Sequence, residues 1–130
     1  MSVMRALEST TPRSLIEMLT HGISVSIIDV RSTDYDEGGH IKGSQNIPSM
    51  LFNLEVVKDI INTSVENKVD TIVFYCKYGQ VRSVDCAKTV NRVISEMDPK
   101  PQLTVSYLEG GFNSFYDQYH DSEYVISPSY

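Results

Sequence analysis

Cysteine and basic residues are both scarce in this chain of 130 residues. Its two cysteines, Cys76 and Cys86, are too few for a disulfide framework, and no Cys-x-x-Cys or Cys/His cluster predicts a zinc site. The 11 Lys and Arg are outnumbered by 17 Asp and Glu, which gives a formal net charge of −6. General nucleic-acid binding and docking on anionic membranes both need a basic patch. We therefore expect no nucleic-acid partner, no metal and no other cofactor.

Long apolar runs are also missing. No run approaches the roughly 20 residues of a membrane span, and MSVMRALESTTPRS at residues 1–14 has no stretch long enough for a signal peptide. We expect no membrane association and, with so few thiols, a cytoplasmic or nuclear protein. The length, with 41% hydrophobic and 22% charged residues, predicts a single domain over residues 1–130.

Strand-like and helix-like segments alternate along the chain. Buried strands are predicted at SVSIIDV, DTIVFYC and LTVSYL, with a short strand near Gln45–Ile47. The predicted helices are one capped by Thr11, one capped by Ser49 with Leu51, Leu54, Val57 and Ile61 at helical spacing, one after Arg82, and one from Phe112 to about Tyr119. This order predicts an α/β fold with a mostly parallel central sheet and helices on both faces. The loops after the three main strands are expected at one edge of the sheet, where ligands bind.

The stretch VFYCKYGQVRS combines the end of a predicted strand with the start of a predicted helix. There the backbone amides and the helix dipole favour binding of an anion, and the Arg82 guanidinium can form bidentate hydrogen bonds to an oxyanion. The same field lowers the pKa of a thiol, so Cys76 is predicted as a nucleophile, with Ser83 placed to hydrogen-bond its sulfur. The loop carries Lys77 and Arg82 and no acid, which suits a dianion. A buried, inert thiol at a strand end remains the alternative for Cys76.

Three stretches resemble proteins of the rhodanese fold, and most closely the M-phase inducer phosphatases. They are IIDVRSTDYDEGGHIKGSQNIP, VFYCKYGQVRS and YLEGGFNSFY, in the family's order over roughly residues 24 to 120. Small stand-alone arsenate reductases look similar too. The resemblance implies a single rhodanese-like domain in which Cys76 attacks phosphorus. The amides of the loop would hold the oxygens and the Arg82 side chain would clamp them; the oxyanion-binding residues are then Lys77, Tyr78, Gly79, Gln80, Val81 and Arg82.

Loop length separates the chemistries of this superfamily. Sulfurtransferases usually have four residues between the cysteine and the matching arginine position, whereas phosphatases and arsenate reductases have five, as this chain has. The resemblance therefore implies a protein-tyrosine or dual-specificity phosphatase acting on a phosphoprotein. The alternatives are an arsenate reductase that takes arsenate as a small oxyanion substrate and uses glutathione and glutaredoxin, and a non-catalytic anion- or partner-binding domain. Persulfide transfer is disfavoured by the loop length.

Several neighbours of the loop are given other roles. Tyr75 replaces the histidine that usually precedes the family's nucleophile. Asp29 and Arg31 match a structural pair, and the acids of DYDE are expected in a solvated or salt-bridged loop. The sequence identifies no general acid, although Glu109 lies on the predicted rim. Cys86 is interpreted as a core residue of the helix after Arg82, with a resolving thiol as the alternative.

Overall fold

The computed structural model describes residues 6–128, in which four α-helices surround a five-stranded sheet. The strands are β1 (Glu8–Thr10), β2 (Val25–Asp29), β3 (His40–Ile41), β4 (Gln45–Asn46), β5 (Thr71–Tyr75), β6 (Thr104–Leu108) and β7 (Val125–Ile126). The helices are α1 (Pro12–Thr20), α2 (Leu54–Glu66), α3 (Arg82–Ser95) and α4 (Gly111–Tyr119), and a 3-10 turn spans Ser49–Leu51.

All neighbouring strands of the main sheet run parallel, in the order β1-β6-β5-β2-β4. The strands β3 and β7 pair antiparallel as a separate two-stranded sheet. Because β5 lies between β6 and β2, the loop after β5 begins at the centre of the edge formed by the strands' carboxyl ends. The predicted α/β fold with a mostly parallel sheet is confirmed.

Two apolar layers cover the two faces of the sheet. Alternate residues of a strand point to opposite faces, so Ile72, Phe74 and Cys76 pack with residues of α2 and α3. Val73 and Tyr75 pack on the other face with residues of α1 and α4, including Leu15 and Phe115. Helices therefore lie on both faces, and Cys76 continues the alternation of β5 toward α3.

The helix predicted to begin at Ser49 is placed wrongly. Ser49 begins the short 3-10 turn, and α2 begins only at Leu54, where the Asn53 side-chain oxygen accepts a hydrogen bond from the Val56 amide at 2.9 Å. Leu51 and Leu54 are 53% and 58% exposed, so their helical spacing with the buried Val57 and Ile61 does not reflect one buried face.

Three short strands, β1, β3 and β7, were not predicted. They have two or three residues each, and β1 (Glu-Ser-Thr) is polar and exposed at two of its three positions. Its pairing with β6, with Glu8 opposite Ser106, comes from a partner almost a hundred residues away and leaves no alternating apolar signal. Within the described residues 6–128, no helix is long and apolar enough to cross a membrane.

Candidate active site

The loop that follows β5 lies where the carboxyl ends of three parallel strands meet. The Val30 amide after β2 donates to the Tyr75 carbonyl at 2.8 Å, which aligns the two strand ends. On the β6 side, the amide of Phe112 donates to the carbonyl of Cys76, and that of Asn113 to the carbonyl of Lys77, both at 2.9 Å. These two bonds turn the loop carbonyls toward the first turn of α4.

The sulfur of Cys76 is surrounded by hydrogen-bond donors. Ser83 Oγ lies 3.2 Å from Sγ, and the Gly79 amide donates to Sγ at 3.3 Å. Burial raises the pKa of the Cys76 thiol, but hydrogen bonds from the Ser83 hydroxyl and from the amides of Ser83, Gly79 and Tyr78 outweigh it, and the net pKa is lowered. A lowered pKa favours the thiolate, which is the nucleophilic form of cysteine.

The start of α3 supplies the Ser83 donors, and the first turn of this helix has no side-chain cap. Thr11 caps α1 and Asn53 caps α2 through their side chains, whereas among the described residues no side chain caps α3. The first amides of a helix have no partner inside the helix and carry the positive end of its dipole. They are therefore available to the Cys76 sulfur, and to an anion bound above it.

Gly79 and Gly111 bring the loop and the start of α4 closer together than side chains would allow. Gly79 has φ +69°, and a Cβ added there would lie 2.5 Å from the Leu108 carbonyl oxygen and 2.7 Å from the Gly111 amide nitrogen. A Cβ on Gly111 would lie 2.5 Å from the Cys76 carbonyl oxygen. The Gly-Gly turn after β6 thus supports the loop directly.

Both cations of the loop are paired with carboxylates from another segment. Arg82 Nη1 and Nη2 donate to the two oxygens of Asp34 at 2.9 and 2.7 Å, and Lys77 Nζ lies 3.0 Å from Glu37 Oε1. The hydrogen bonds from Arg82 hold the pKa of Asp34 well below its usual range. Two of the three acids of DYDE, Asp34 and Glu37, are therefore salt-bridged to the loop after β5, a partner that the sequence did not indicate. The third, Asp36, lies 2.9 Å from His40 Nδ1 instead.

Arg31 anchors the segment that carries these carboxylates. It is completely buried and forms a bidentate pair with Asp29, with Nη2 2.7 Å from Oδ2. It also donates to the carbonyls of Glu37 and Gly39 at 3.1 and 2.8 Å, and its Cζ lies 4.6 Å from the centre of the Phe112 ring. The Asp29 and Arg31 pair thus has the structural contacts expected from the resemblance.

Tyr75 faces away from the thiol in a polar network of its own. Its side chain packs on the face opposite Cys76, where its hydroxyl accepts from the Ile41 amide at 3.2 Å and lies 3.0 Å from Ser44 Oγ. Burial raises the pKa of Tyr75 well above its ordinary value, so it stays neutral. The residue in the family's histidine position here connects β5 to the 40–44 segment.

The remaining predicted residues divide into exposed and buried groups. Within the loop, Tyr78, Gln80 and Val81 are exposed. Glu109 is exposed and accepts a hydrogen bond from Ser9 at 3.2 Å. Within residues 6–128, its carboxyl forms no hydrogen bond or ion pair with the thiol loop. Cys86 is buried in the core, as interpreted from the sequence, and burial raises its pKa to about 12.

Comparison with known proteins identifies this arrangement. The family model described as a rhodanese-like domain matches residues 11–118. The chain belongs to the rhodanese-like domain family. The rhodanese-like chain is 33% identical over 119 residues to the dual specificity phosphatase Cdc25 of Arabidopsis thaliana, covering 88% of this chain and 77% of that protein. It is 36% identical over 98 residues to the M-phase inducer phosphatase cdc-25.3 of Caenorhabditis elegans, which is 69% of this chain but 29% of that protein.

Solved structures of both expected kinds resemble the rhodanese-like chain. The As-Sb reductase of Leishmania major superposes with a TM-score of 0.78 at 27% identity, covering 91% of this chain and 82% of that one. The yeast protein tyrosine phosphatase Ygr203w superposes with a TM-score of 0.81 at 22% identity, covering 95% and 93%, and supports the fold alone. The resemblance to inducer phosphatases and arsenate reductases is confirmed, whereas the catalytic roles of individual residues stay predictions.

Proposed function

We propose that this protein is a cysteine-dependent protein-tyrosine or dual-specificity phosphatase. The observation that carries the proposal is the pairing of a thiol of lowered pKa with an uncapped helix start and an arginine six residues along the chain. The likeness to Cdc25-type phosphatases supports the same chemistry.

The proposed reaction has two steps. The Cys76 thiolate attacks phosphorus, a P–S bond forms, and the P–O bond to the alcohol or phenol breaks, with the leaving oxygen taking a proton from solvent. Water then attacks phosphorus, the P–S bond breaks, and inorganic phosphate and the thiolate are released. The loop amides and Arg82 stabilise the charge on the phosphoryl oxygens in both steps, and the Ser83 hydroxyl stabilises sulfur as the leaving group of the second.

The deciding experiment is hydrolysis of p-nitrophenyl phosphate between about pH 5 and about pH 8, with Cys76→Ser as the inactive comparison. Turnover that disappears in the variant, while the variant still binds vanadate or tungstate, supports the phosphatase. Absence of turnover in the wild-type protein contradicts it. A phosphopeptide series then separates tyrosine from dual specificity.

Arsenate reduction is the second candidate, and the Leishmania major reductase favours it. The Cys76 thiolate displaces hydroxide from arsenate to form an S–As bond. Arsenic(V) then becomes arsenic(III) as two thiols are oxidised to one disulfide. Cys86 is the chain's only other thiol, and it is buried with a pKa raised to about 12, so the second thiol must come from outside.

Glutathione is the external thiol of this second proposal, and glutaredoxin reduces the disulfide that then joins Cys76 to glutathione. Its test is arsenate-dependent NADPH consumption in a coupled assay with glutathione, glutathione reductase and glutaredoxin. No consumption would exclude this activity. If neither assay shows turnover and Cys76 alkylates no faster than a free thiol at pH 6, the domain is a non-catalytic anion-binding module.

A further inference from the structure

We infer that Asp34 is a positioning residue for oxyanion binding: its carboxylate fixes the Arg82 guanidinium so that the edge bearing Nε faces the anion site. The inference rests on the proposed anion-binding role of Arg82, but it applies to phosphate and arsenate alike.

The geometry of the ion pair leaves one edge of the guanidinium available. Asp34 takes one hydrogen bond from Nη1 and one from Nη2, at 2.9 and 2.7 Å, and so occupies the end of the planar group. Among the residues the structure describes, no hydrogen bond involves Arg82 Nε. A guanidinium has five N–H donors in a fixed fork, so Nε–H and the remaining Nη–H groups can hold an oxyanion while both bonds to Asp34 persist.

The segment that carries Asp34 is held by several hydrogen bonds, so Asp34 is not expected to move aside when an anion binds. Asp34 Oδ1 also accepts from the Ser32 amide at 3.1 Å, and the Asp34 carbonyl accepts from the Glu37 amide at 3.2 Å. The buried Arg31 then ties the carbonyls of Glu37 and Gly39. A carboxylate held in this way can fix Arg82 in one orientation. If Asp34 instead competed with the anion for Arg82, it would have to move away when the anion binds.

Arg82 benefits from this support because its side chain is partly exposed and, among the described residues, forms an ion pair with Asp34 alone. Its side chain is 34% exposed, whereas that of Asp34 is 18% exposed. An arginine that must be ordered on binding lowers affinity by roughly three- to tenfold. A guanidinium already fixed by Asp34 avoids that loss, and its flat fork gives the anion two parallel hydrogen bonds.

The test is the binding of inorganic tungstate to the Cys76→Ser protein, measured by calorimetry. Adding Asp34→Asn is expected to weaken binding by roughly three- to tenfold, and Asp34→Glu is expected to restore most of the affinity. In an Arg82→Lys background, Asp34→Asn should have less than about a twofold effect, because the partner it positions is gone. Glu17→Gln is the matched control, since Glu17 pairs with Arg13 on the exposed face of α1.

Unchanged or tighter tungstate binding in Asp34→Asn would overturn the inference, and tighter binding would make Asp34 a competitor of the anion. An equal loss in the Arg82→Lys background would also overturn it. A second measurement needs no Asp34 variant: tungstate should shift the NMR signal of Arg82 Nε–H in the Cys76→Ser protein, and no shift at saturation contradicts the inference. Because tungstate binding needs no turnover, failure of the phosphatase assay and failure of this inference are separate results.

Discussion

Replacing Ser83 with alanine tests the sulfur environment most directly. The Ser83 hydroxyl is completely buried and lies 3.2 Å from Cys76 Sγ. A thiolate can only accept, so the hydroxyl is the donor in the ionised state. We expect Ser83→Ala to raise the pKa of Cys76, because the variant loses a hydrogen bond that lowers it.

The magnitude follows from the strength of one hydrogen bond to a charged group. Such bonds contribute about 1.5 kcal/mol at the lower end of their range, a suitable value for a sulfur acceptor. About 1.4 kcal/mol corresponds to a factor of ten in an equilibrium constant. At a pH below the ionisation of Cys76, the thiolate population of Ser83→Ala should therefore be about tenfold smaller. The difference should vanish at high pH, where both proteins are ionised.

Alkylation by iodoacetamide measures the thiolate without assuming any enzymatic activity. The rate of modification at Cys76, followed by mass spectrometry across pH, should fall as pH decreases in both proteins, but at higher pH in Ser83→Ala. Ser95→Ala is a matched control, because Ser95 is a buried serine of the same helix whose hydroxyl donates to the Asn91 carbonyl at 2.8 Å. Coincident pH profiles for Ser83→Ala and wild type would refute the role of the hydroxyl.

Three further substitutions test the support of the site. Gly79→Ala should lower stability by roughly 1–3 kcal/mol and abolish tungstate binding, since its Cβ would collide with Gly111; normal binding by calorimetry would contradict the close approach. Arg31→Met should lower the free energy of unfolding in urea by about 3–5 kcal/mol, because it leaves Asp29 buried without its partner; a loss below about 1 kcal/mol would show that water replaces the guanidinium. Cys86→Ala should leave alkylation of the nucleophilic thiol unchanged and cost about 1 kcal/mol of stability; slower alkylation would give Cys86 a chemical role instead.

The parts of the fold that follow a regular pattern could be predicted from the sequence. The adjacent Ile27 and Ile28 indicated a strand buried on both faces, and they lie in the two different apolar layers. Thr11 and Pro12 marked the start of α1, where the Thr11 hydroxyl oxygen accepts from the Ser14 amide at 3.0 Å. Both signals are local, so they are visible in a few consecutive residues.

The short strands and the start of α2 could not be predicted in the same way. Leu51 fits a helical spacing but is exposed. The residue that caps α2 is Asn53, which is polar and lies outside the apolar pattern used to predict the helix. The two-residue strand β3 exists only because β7 lies beside it, with His40 opposite Ile126. A pairing of that kind depends on the assembled fold.

The same distinction applies within the candidate site. The predicted strand end and helix start around the loop, together with the family resemblance, indicated Cys76, Arg82 and Ser83 as site residues. The pairing of Asp34 with Arg82 spans 48 positions in the chain. Because the loop contains several acids, the sequence does not indicate which acid pairs with which cation. The missing information is the path of the 32–39 segment, which Arg31 holds through the carbonyls of Glu37 and Gly39.

The glycines near the site show why the loop and the later turn act as one unit. In the sequence, Gly79 indicates only a position with an unusual backbone conformation. Its φ of +69° is one reason why glycine is needed there, and the close approach of the Gly-Gly turn is another. Gly111, in the turn after β6, would place a Cβ 2.6 Å from the Gly79 amide nitrogen. The Phe112 and Asn113 amides that follow it donate to the carbonyls of Cys76 and Lys77. These bonds direct the two carbonyls toward α4, whereas the amides of Tyr78 and Gly79 donate to the thiol. The anion site therefore depends on a contact between two glycines that no local motif links.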